Sequence, residues 1–291
     1  MLVFPMPHYE EPLFRPPAEA DSLIFQVARG CPHNTCRFCA MYKGVRYRIR
    51  PQDEILAEMA ATAAREPGAS RIFLADGDVM ALPFSRFREL LEALNAGFPA
   101  LSRVNVYANG RSILARSDGE LAELRRLKLN TLYMGLETGD DALLQAMGKG
   151  ETADGMVTAI QRAQAAGLRG SVMILLGLAG ADGSERHADL TAAALNRMQP
   201  RLLSALRFVD VPGTAMPAGY KPLSEYGVIV ELIRILQGVA LEKTVFRSNH
   251  TSNPIPLEGR LPRDRDRLVQ GLQSMLPLLD RNSPGATPFF L

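Results

Sequence analysis

Cysteine is scarce in this chain: three among 291 residues, all between positions 31 and 39. Three thiols gathered in one place do not build a disulfide framework, and no thiol is left for a second all-cysteine cluster. They suggest a reducing compartment in which thiolates are kept for metal. No run of about 18 apolar residues occurs, so no membrane-spanning helix is expected. Charge of one sign is also lacking: the net charge is +2, which gives no reason to expect an extended polyanion partner. The opening Met1-Leu2-Val3-Phe4-Pro5-Met6-Pro7-His8 has no basic start followed by an apolar run. A signal peptide is therefore not expected, and the reading is a cytoplasmic protein. A dinucleotide-binding fingerprint is absent as well, because Gly177-Leu178-Ala179-Gly180 lacks the spacing and the acidic residue that should follow. There is no internal repeat. What remains is an ordinary globular composition, 47% apolar and 22% charged, with length enough for one domain or one domain with an appendage.

The cysteines stand in Cys31-Pro32-His33-Asn34-Thr35-Cys36-Arg37-Phe38-Cys39. The apolar stretch at 23–28 reads as a short strand, ended by Arg29-Gly30, so the thiols begin just past a strand end. Three thiolates on one loop can hold an iron–sulfur cluster and leave one iron without a protein ligand, open to a cofactor or substrate. Phe38, between the last two thiols, would shield such a group from water. Zinc with His33 as fourth ligand is the alternative, although structural zinc sites commonly draw their ligands from two separated pairs.

Residues 1–20, rich in proline and acid, read as an irregular surface lead-in. Beyond the cysteines, strands at 71–75, 103–107, 131–136, 171–176 and 202–208 alternate with helices at 51–65, 84–94, 117–127, 142–147, 152–166 and 184–198. Pro51 opens the first helix, Ser117 with Glu120 forms a capping box, and Gly167 ends a helix in the left-handed conformation. Apolar strands separated by helices indicate a parallel sheet covered by helices, with right-handed crossovers. Strand count falls short of eight-fold closure. After a turn-rich linker at 211–217 come a helix at 224–241, a loop rich in Asn and Pro at 249–262, and a helix at 263–276. Phe289-Phe290-Leu291 is expected to dock on the body.

Gly30 to Cys39 resembles the cluster motif of radical S-adenosylmethionine enzymes, with four residues between the first two cysteines where the common form has three. The branch it resembles is the Elp3/MiaB/NifB-like group. The resemblance covers residues 21–210 and implies an α/β fold, a partial (β/α)6 TIM-like barrel. Residues 211–291 are expected to form a small, mostly helical C-terminal extension. The resemblance also implies a [4Fe–4S] cluster on Cys31, Cys36 and Cys39, with S-adenosylmethionine at the fourth iron. Ala75-Asp76-Gly77-Asp78 stands where relatives receive the cofactor's amino group; Asp76 and Asp78 would be acceptors and Gly77 would let backbone approach. A plain acidic turn is the alternative. Gly135-Leu136-Glu137-Thr138-Gly139 resembles a segment facing the cofactor, with Glu137 accepting from it; the alternative is a salt bridge to Arg or Lys. Gly177 to Gly180 resembles the segment under the adenine.

Arg207, beside Asp210 at the last strand's end, is a candidate for a cofactor or substrate carboxylate; a structural ion pair is the alternative. Asn105, Tyr107 and Asn109 alternate along the third strand, and the first two are substrate-side candidates. So are Arg247, Asn249, His250 and Asn253 in the polar segment 246–254, for which a helix-capping, hydrogen-bonded loop is the alternative. Lys43, Arg46, Arg48 and Arg50 with Tyr42 and Tyr47 make a basic, aromatic patch that could take a phosphate, RNA or an acidic electron donor, with an ordinary solvated surface as the alternative. The implied chemistry is reductive cleavage of S-adenosylmethionine to a 5'-deoxyadenosyl radical that takes hydrogen from a substrate. It implies a one-electron donor such as flavodoxin or ferredoxin. Without an appended RNA-binding module, a small molecule or peptide is the expected substrate. An RNA-modifying enzyme and a non-catalytic iron–sulfur or zinc protein are the alternatives.

Overall fold

The computed structural model describes residues 9–281 and 283. The expected docking of Phe289-Phe290-Leu291 falls outside them. The chain divides into two compact units. The first comprises Met1–Asn34, Met41–Met134 and Gln161–Gly170; the second comprises Thr35–Ala40, Gly135–Ile160 and Ser171–Leu291.

In the first unit, β1 (Leu23–Gln26) runs into a short strand β2 (Ala28–Arg29), which pairs antiparallel with β3 (Arg48–Ile49). Next come α1 (Gln52–Arg65), β4 (Arg71–Ala75), α2 (Phe84–Gly97), β5 (Arg103–Tyr107), α3 (Gly110–Leu114), α4 (Asp118–Arg126) and β6 (Leu129–Glu137). Strands β1, β4, β5 and β6 are parallel neighbours in that order. Ile72, Phe73, Leu74 and Ala75 of β4 are all fully buried, as a strand covered on both faces requires. Helix α1 turns Ile55, Met59, Thr62 and Ala63 inward, and α2 turns Phe87, Leu90, Leu91 and Leu94 inward. Each of the large apolar side chains among these, Ile55, Met59, Phe87 and the three leucines, contributes about 1.5–3 kcal/mol on burial. The capping box is present: Glu120 N–H donates to Ser117 Oγ at 3.1 Å, and Ser117 N–H to Glu120 Oε2 at 2.8 Å.

The second unit takes the end of β6 from Gly135 on. It continues through α5 (Asp141–Ala146), most of α6 (Ala153–Ala165), β7 (Arg169–Leu176) from Ser171, α7 (Gly180–Met198), β8 (Leu202–Arg207) and α8 (Glu225–Gly238). It closes with β9 (Thr244–Ser248), β10 (Leu257–Leu261) and α9 (Arg265–Met275). Gly167 has φ +83°, the expected left-handed end of α6. Strands β7, β8 and β9 are parallel neighbours, and β10 returns antiparallel on β9.

The extension is helical in α8 and α9, but it also carries two strands that the sequence reading did not assign, one just past the helix expected at 224–241 and one in the loop expected at 249–262. Helix α8 stops at Gly238, because Val239 is already extended. β9 is an edge-side strand of alternating burial, and β10 holds a glycine and two charges, so neither shows a long apolar run. Register sorts the side chains of this unit onto two faces. Val172, Leu203 and Phe246 share the fully buried one; Met173, Ser204 and Arg247 share the other, where each is half-buried. Among the described residues, no helix is long and apolar enough to cross a membrane.

Candidate active site

The first thiol is positioned by the turn after β4. Gly77 N–H donates to Gly30 O at 3.2 Å, and a Cβ on Gly77 would stand 2.9 Å from Cys31 Cβ. Glycine is required there because the cysteine stretch passes so close. Asp76 is fully buried. Its Oδ2 accepts from Gln26 Nε2 at 3.0 Å and from Gly30 N–H at 3.3 Å, and its Oδ1 accepts from the Tyr42 hydroxyl at 2.8 Å. Burial raises the Asp76 carboxyl above its usual range, against the bonds from Gln26, Tyr42 and Gly30, which favour its charge. Burial, with Asp76 alongside, pushes the Tyr42 phenol well up. Asp76 thus braces both sides of the cysteine stretch, and its oxygens are engaged within the protein. Asp78 is buried too; its Oδ2 accepts from Asn109 Nδ2 at 3.0 Å and Ser112 Oγ at 2.5 Å.

Cys36 and Cys39 belong to the second unit, where the turn after α5 holds them. Arg37 N–H donates to Met147 O at 2.8 Å, and Thr35 Oγ1 donates to Gly148 O at 3.3 Å. Arg37 Nε donates to Ala215 O, also at 2.8 Å. Phe38 packs against the buried cluster of Met147, Leu178 and Phe208, with Leu143, Leu175, Met216 and Tyr220 around it. Lys149 Nζ lies 5.9 Å from the Phe38 ring centre and donates to Glu137 Oε1 at 3.0 Å. Burial opposes charge on Lys149, but Glu137, Cys36 and Glu151 outweigh it and hold its pKa above the ordinary lysine value. Glu137 has φ +62°, a strained conformation for a residue with a side chain. Its carboxylate folds back over Gly135, where a Cβ would come within 1.9 Å of Oε1. Of the two readings of Glu137, the structure contains the salt bridge, to Lys149. The sequence reading missed Lys149; its one local signal is a lysine set between Gly148 and Gly150.

The other candidates are dispersed. Asn105 donates to Glu19 Oε1 at 2.8 Å and accepts from Thr131 N–H at 2.9 Å, so its amide is engaged at both ends. Glu19, read as surface lead-in, is buried and also takes bonds from Ser22 and Tyr133. Tyr107 stacks edge-on with Phe73 at 5.2 Å and with Tyr133 at 6.2 Å. Arg207 lies 3.8 Å from Glu225 Oε1, and Asp210 accepts from the Thr214 hydroxyl. Asn253 bonds the backbone of β8, accepting from Arg207 N–H at 2.8 Å and donating to Ala205 O at 2.9 Å. His250 Nδ1 accepts from Ser252 N–H at 3.2 Å, and burial lowers its pKa. Asn249 is exposed.

In the basic patch, Arg48 pairs with Glu10, which also takes Arg29 of β2, Arg50 pairs with Glu58 at 2.9 Å, and Lys43 donates to Asn34 O at 3.2 Å. A second buried network joins α7 and α8. His187 Nδ1 is 2.7 Å from Thr138 Oγ1, and its Nε2 is 3.6 Å from Glu231 Oε1, which accepts from Gly177 N–H at 2.6 Å. This network ties the loop after β6 to the loop after β7.

None of the three cysteines is in a disulfide, and each is half-buried. Among the described residues, no group of three or more His, Cys, Asp or Glu side chains is drawn together as a site for a single ion. Three thiols on one loop fit a cluster that takes one thiolate per iron.

The sequence profile described as the Radical SAM superfamily matches residues 25–191, more than half of the chain. The chain belongs to the radical SAM superfamily, a superfamily of enzymes. It is similar to an uncharacterised protein of Methanopyrus kandleri, 30% identical over 202 residues, 61% of this chain and 36% of that protein. An uncharacterised methyltransferase of Pyrococcus horikoshii is 28% identical over 169 residues, 55% of this chain and 34% of that protein. The chain therefore spans about a third of the length of the curated relatives it matches.

Among solved structures it is similar to methylornithine synthase, with a TM-score of 0.54 and 20% identity over 87% of this chain and 81% of that one. The FeFe-hydrogenase maturase HydG from Carboxydothermus hydrogenoformans has a TM-score of 0.52 and 18% identity, over 86% and 56%. A radical S-adenosylmethionine methyltransferase, TsrM, from Kitasatospora setae has a TM-score of 0.56 and 19% identity, over 67% and 37%. At these identities the likeness shows the fold alone: a partial α/β barrel with a C-terminal helical extension.

Proposed function

We propose that this protein is a radical S-adenosylmethionine enzyme whose cluster is held by Cys31, Cys36 and Cys39 and whose substrate is a small molecule or peptide. The observation that carries this reading is that every cysteine of the chain lies inside the matched segment, half-buried and outside any disulfide, on a stretch braced at both ends. When bound, the cluster supplies the electron that splits S-adenosylmethionine into methionine and a 5'-deoxyadenosyl radical, which takes hydrogen from substrate. The chain's own residues supply position and seclusion. Gly77 admits Cys31 against the β4 turn, and Asp76 holds Gly30 and Tyr42 about it. Lys149 sets a fixed positive charge beside Cys36 and neutralises Glu137, and Phe38 covers the apolar floor. A charge placed there favours the anionic form of whatever the thiolates bind. The branch of the superfamily and the electron donor, flavodoxin or ferredoxin, belong to this proposal as expectations.

The test is anaerobic reconstitution with iron and sulfide, spectroscopy with and without S-adenosylmethionine, and assay of 5'-deoxyadenosine after reduction. A cluster signal that changes on cofactor addition, with nucleoside release, is expected. Protein that loads no iron, or that loads it equally well with the three cysteines changed to alanine, would overturn the reading.

A further inference from the structure

Strands β7, β8 and β9 bring Met173, Ser204 and Arg247 into register on one face, with Leu175 and Leu206 one step further along it. Leu175 packs against the same buried cluster of Met147, Leu178 and Phe208 as Phe38, so Arg247 projects from the face on the side of Phe38. Arg247 Nε is shut off from solvent and has no hydrogen-bond partner. Its register partner on β10, Glu258, is exposed and does not satisfy that Nε. Two residues before Met173, on the same face, Ser171 Oγ is likewise buried without a partner.

Buried polar groups in folded proteins are nearly always paired, and a charged group left unsatisfied is the costlier exception. Two such groups on one half-buried face are donors in want of a ligand. Strand spacing and rise put their Cα atoms about 12 Å apart, too far to share one small group. They suit the two ends of one molecule.

We infer that this face binds the substrate through a carboxylate, taken by Arg247 through Nε and a neighbouring Nη, with Ser171 hydrogen-bonding a second polar group further along. The inference rests on the functional reading above, in which this face belongs to the substrate. Arginine's planar fork matches a carboxylate. A phosphate monoester carries about −1.5 to −2 charges, which one guanidinium among Met173, Leu175 and Leu206 leaves unbalanced. A carboxylate is balanced one for one.

The test is titration calorimetry on protein reconstituted anaerobically with iron and sulfide, in S-adenosylmethionine, using hexanoate, hexanamide and hexyl phosphate as probes. Hexanoate is expected to bind, and the amide and phosphate to bind at least about tenfold more weakly. Arg247→Met should weaken hexanoate by about ten- to a hundredfold, and Arg247→Lys by less. Equal binding of acid and amide, no measurable hexanoate binding, or undiminished binding by Arg247→Met would each overturn the inference. The acid–amide comparison on the unaltered protein stands even where a variant folds poorly. Cluster absorbance and its response to S-adenosylmethionine are read on the same samples. A normal response with failed hexanoate binding removes only the carboxylate inference; a missing response removes the reading beneath it.

Discussion

Gly77→Ala tests how the cysteine stretch is seated. The added Cβ would lie 2.9 Å from Cys31 Cβ, 3.0 Å from Gly30 O and 3.1 Å from Cys31 Cα. Carbon atoms in contact prefer about 3.5–4.0 Å, so a displacement of roughly 0.5–1 Å is needed. The turn cannot supply it easily. Asp76 is held by Gln26, Gly30 and Tyr42, and Asp78 by Asn109 and Ser112. The strain therefore falls on Gly30 and Cys31, at about 1–3 kcal/mol, the usual cost of overpacking. For a chain of this size that lowers Tm by several degrees, at about 2–4 °C per kcal/mol. Two measurements follow: thermal unfolding of iron-free protein by circular dichroism, and iron bound per chain after reconstitution. Both should fall. Gly271→Ala is the control, since nothing lies within 4 Å of its added Cβ in α9, and a gain of up to about 1 kcal/mol is expected. If Gly77→Ala melts with the unaltered protein and loads the same iron, the close approach does not position Cys31.

Lys149→Met should leave Glu137 buried without its cation and cost about 3–5 kcal/mol in urea unfolding. An unchanged midpoint would mean that Glu137 finds another partner. Asn253→Ala removes two bonds to β8 and should cost about 1–3 kcal/mol by the same measurement; a neutral result would refute the bracing role.

His187 and Glu231 oppose each other in pH. Burial holds His187 down to about 4, below its ordinary 6.5, so its contribution is full above 6.5 and lost as pH falls toward 4. Burial pushes Glu231 up to about 7 from an ordinary 4.5, against bonds from Ser184 and Gly177, so its contribution is present at low pH and lost as pH rises through 7. Between 4.5 and 6.5 the two slopes offset. Glu231→Gln should unmask the histidine slope, a loss of about 3 kcal/mol from pH 6.5 to 4. A flat profile in that variant would refute the assignment.

The parallel strands and their helices were legible because each carries its own signal. Ile72 to Ala75 is a short apolar run, Phe87, Leu90, Leu91 and Leu94 recur at helical spacing, and Ser117 with Glu120 marks a start. The three thiols were legible because nothing else in the chain resembles them. What lay hidden was made by partners distant in sequence. Glu19 looks like one more acid in a proline-rich lead-in until Asn105 and Tyr133 close on it. Asp76 offers no local sign that Gln26, Gly30 and Tyr42 will occupy its oxygens. Glu231 reads as a polar residue on an apolar helix, yet it bonds the backbone at Gly177. The hairpin of β9 and β10 escaped because register, rather than hydrophobicity, sustains it.

The amide of Asn253 has a further consequence. β9 accompanies β8 only from Leu202 to Ser204; beyond that, Asn253 takes the carbonyl of Ala205 and the N–H of Arg207, as a neighbouring strand would. A single side chain thus finishes the hem of the sheet. Bare backbone along such a margin is an invitation to a stray chain, and the loop, by supplying an impostor strand, withdraws it.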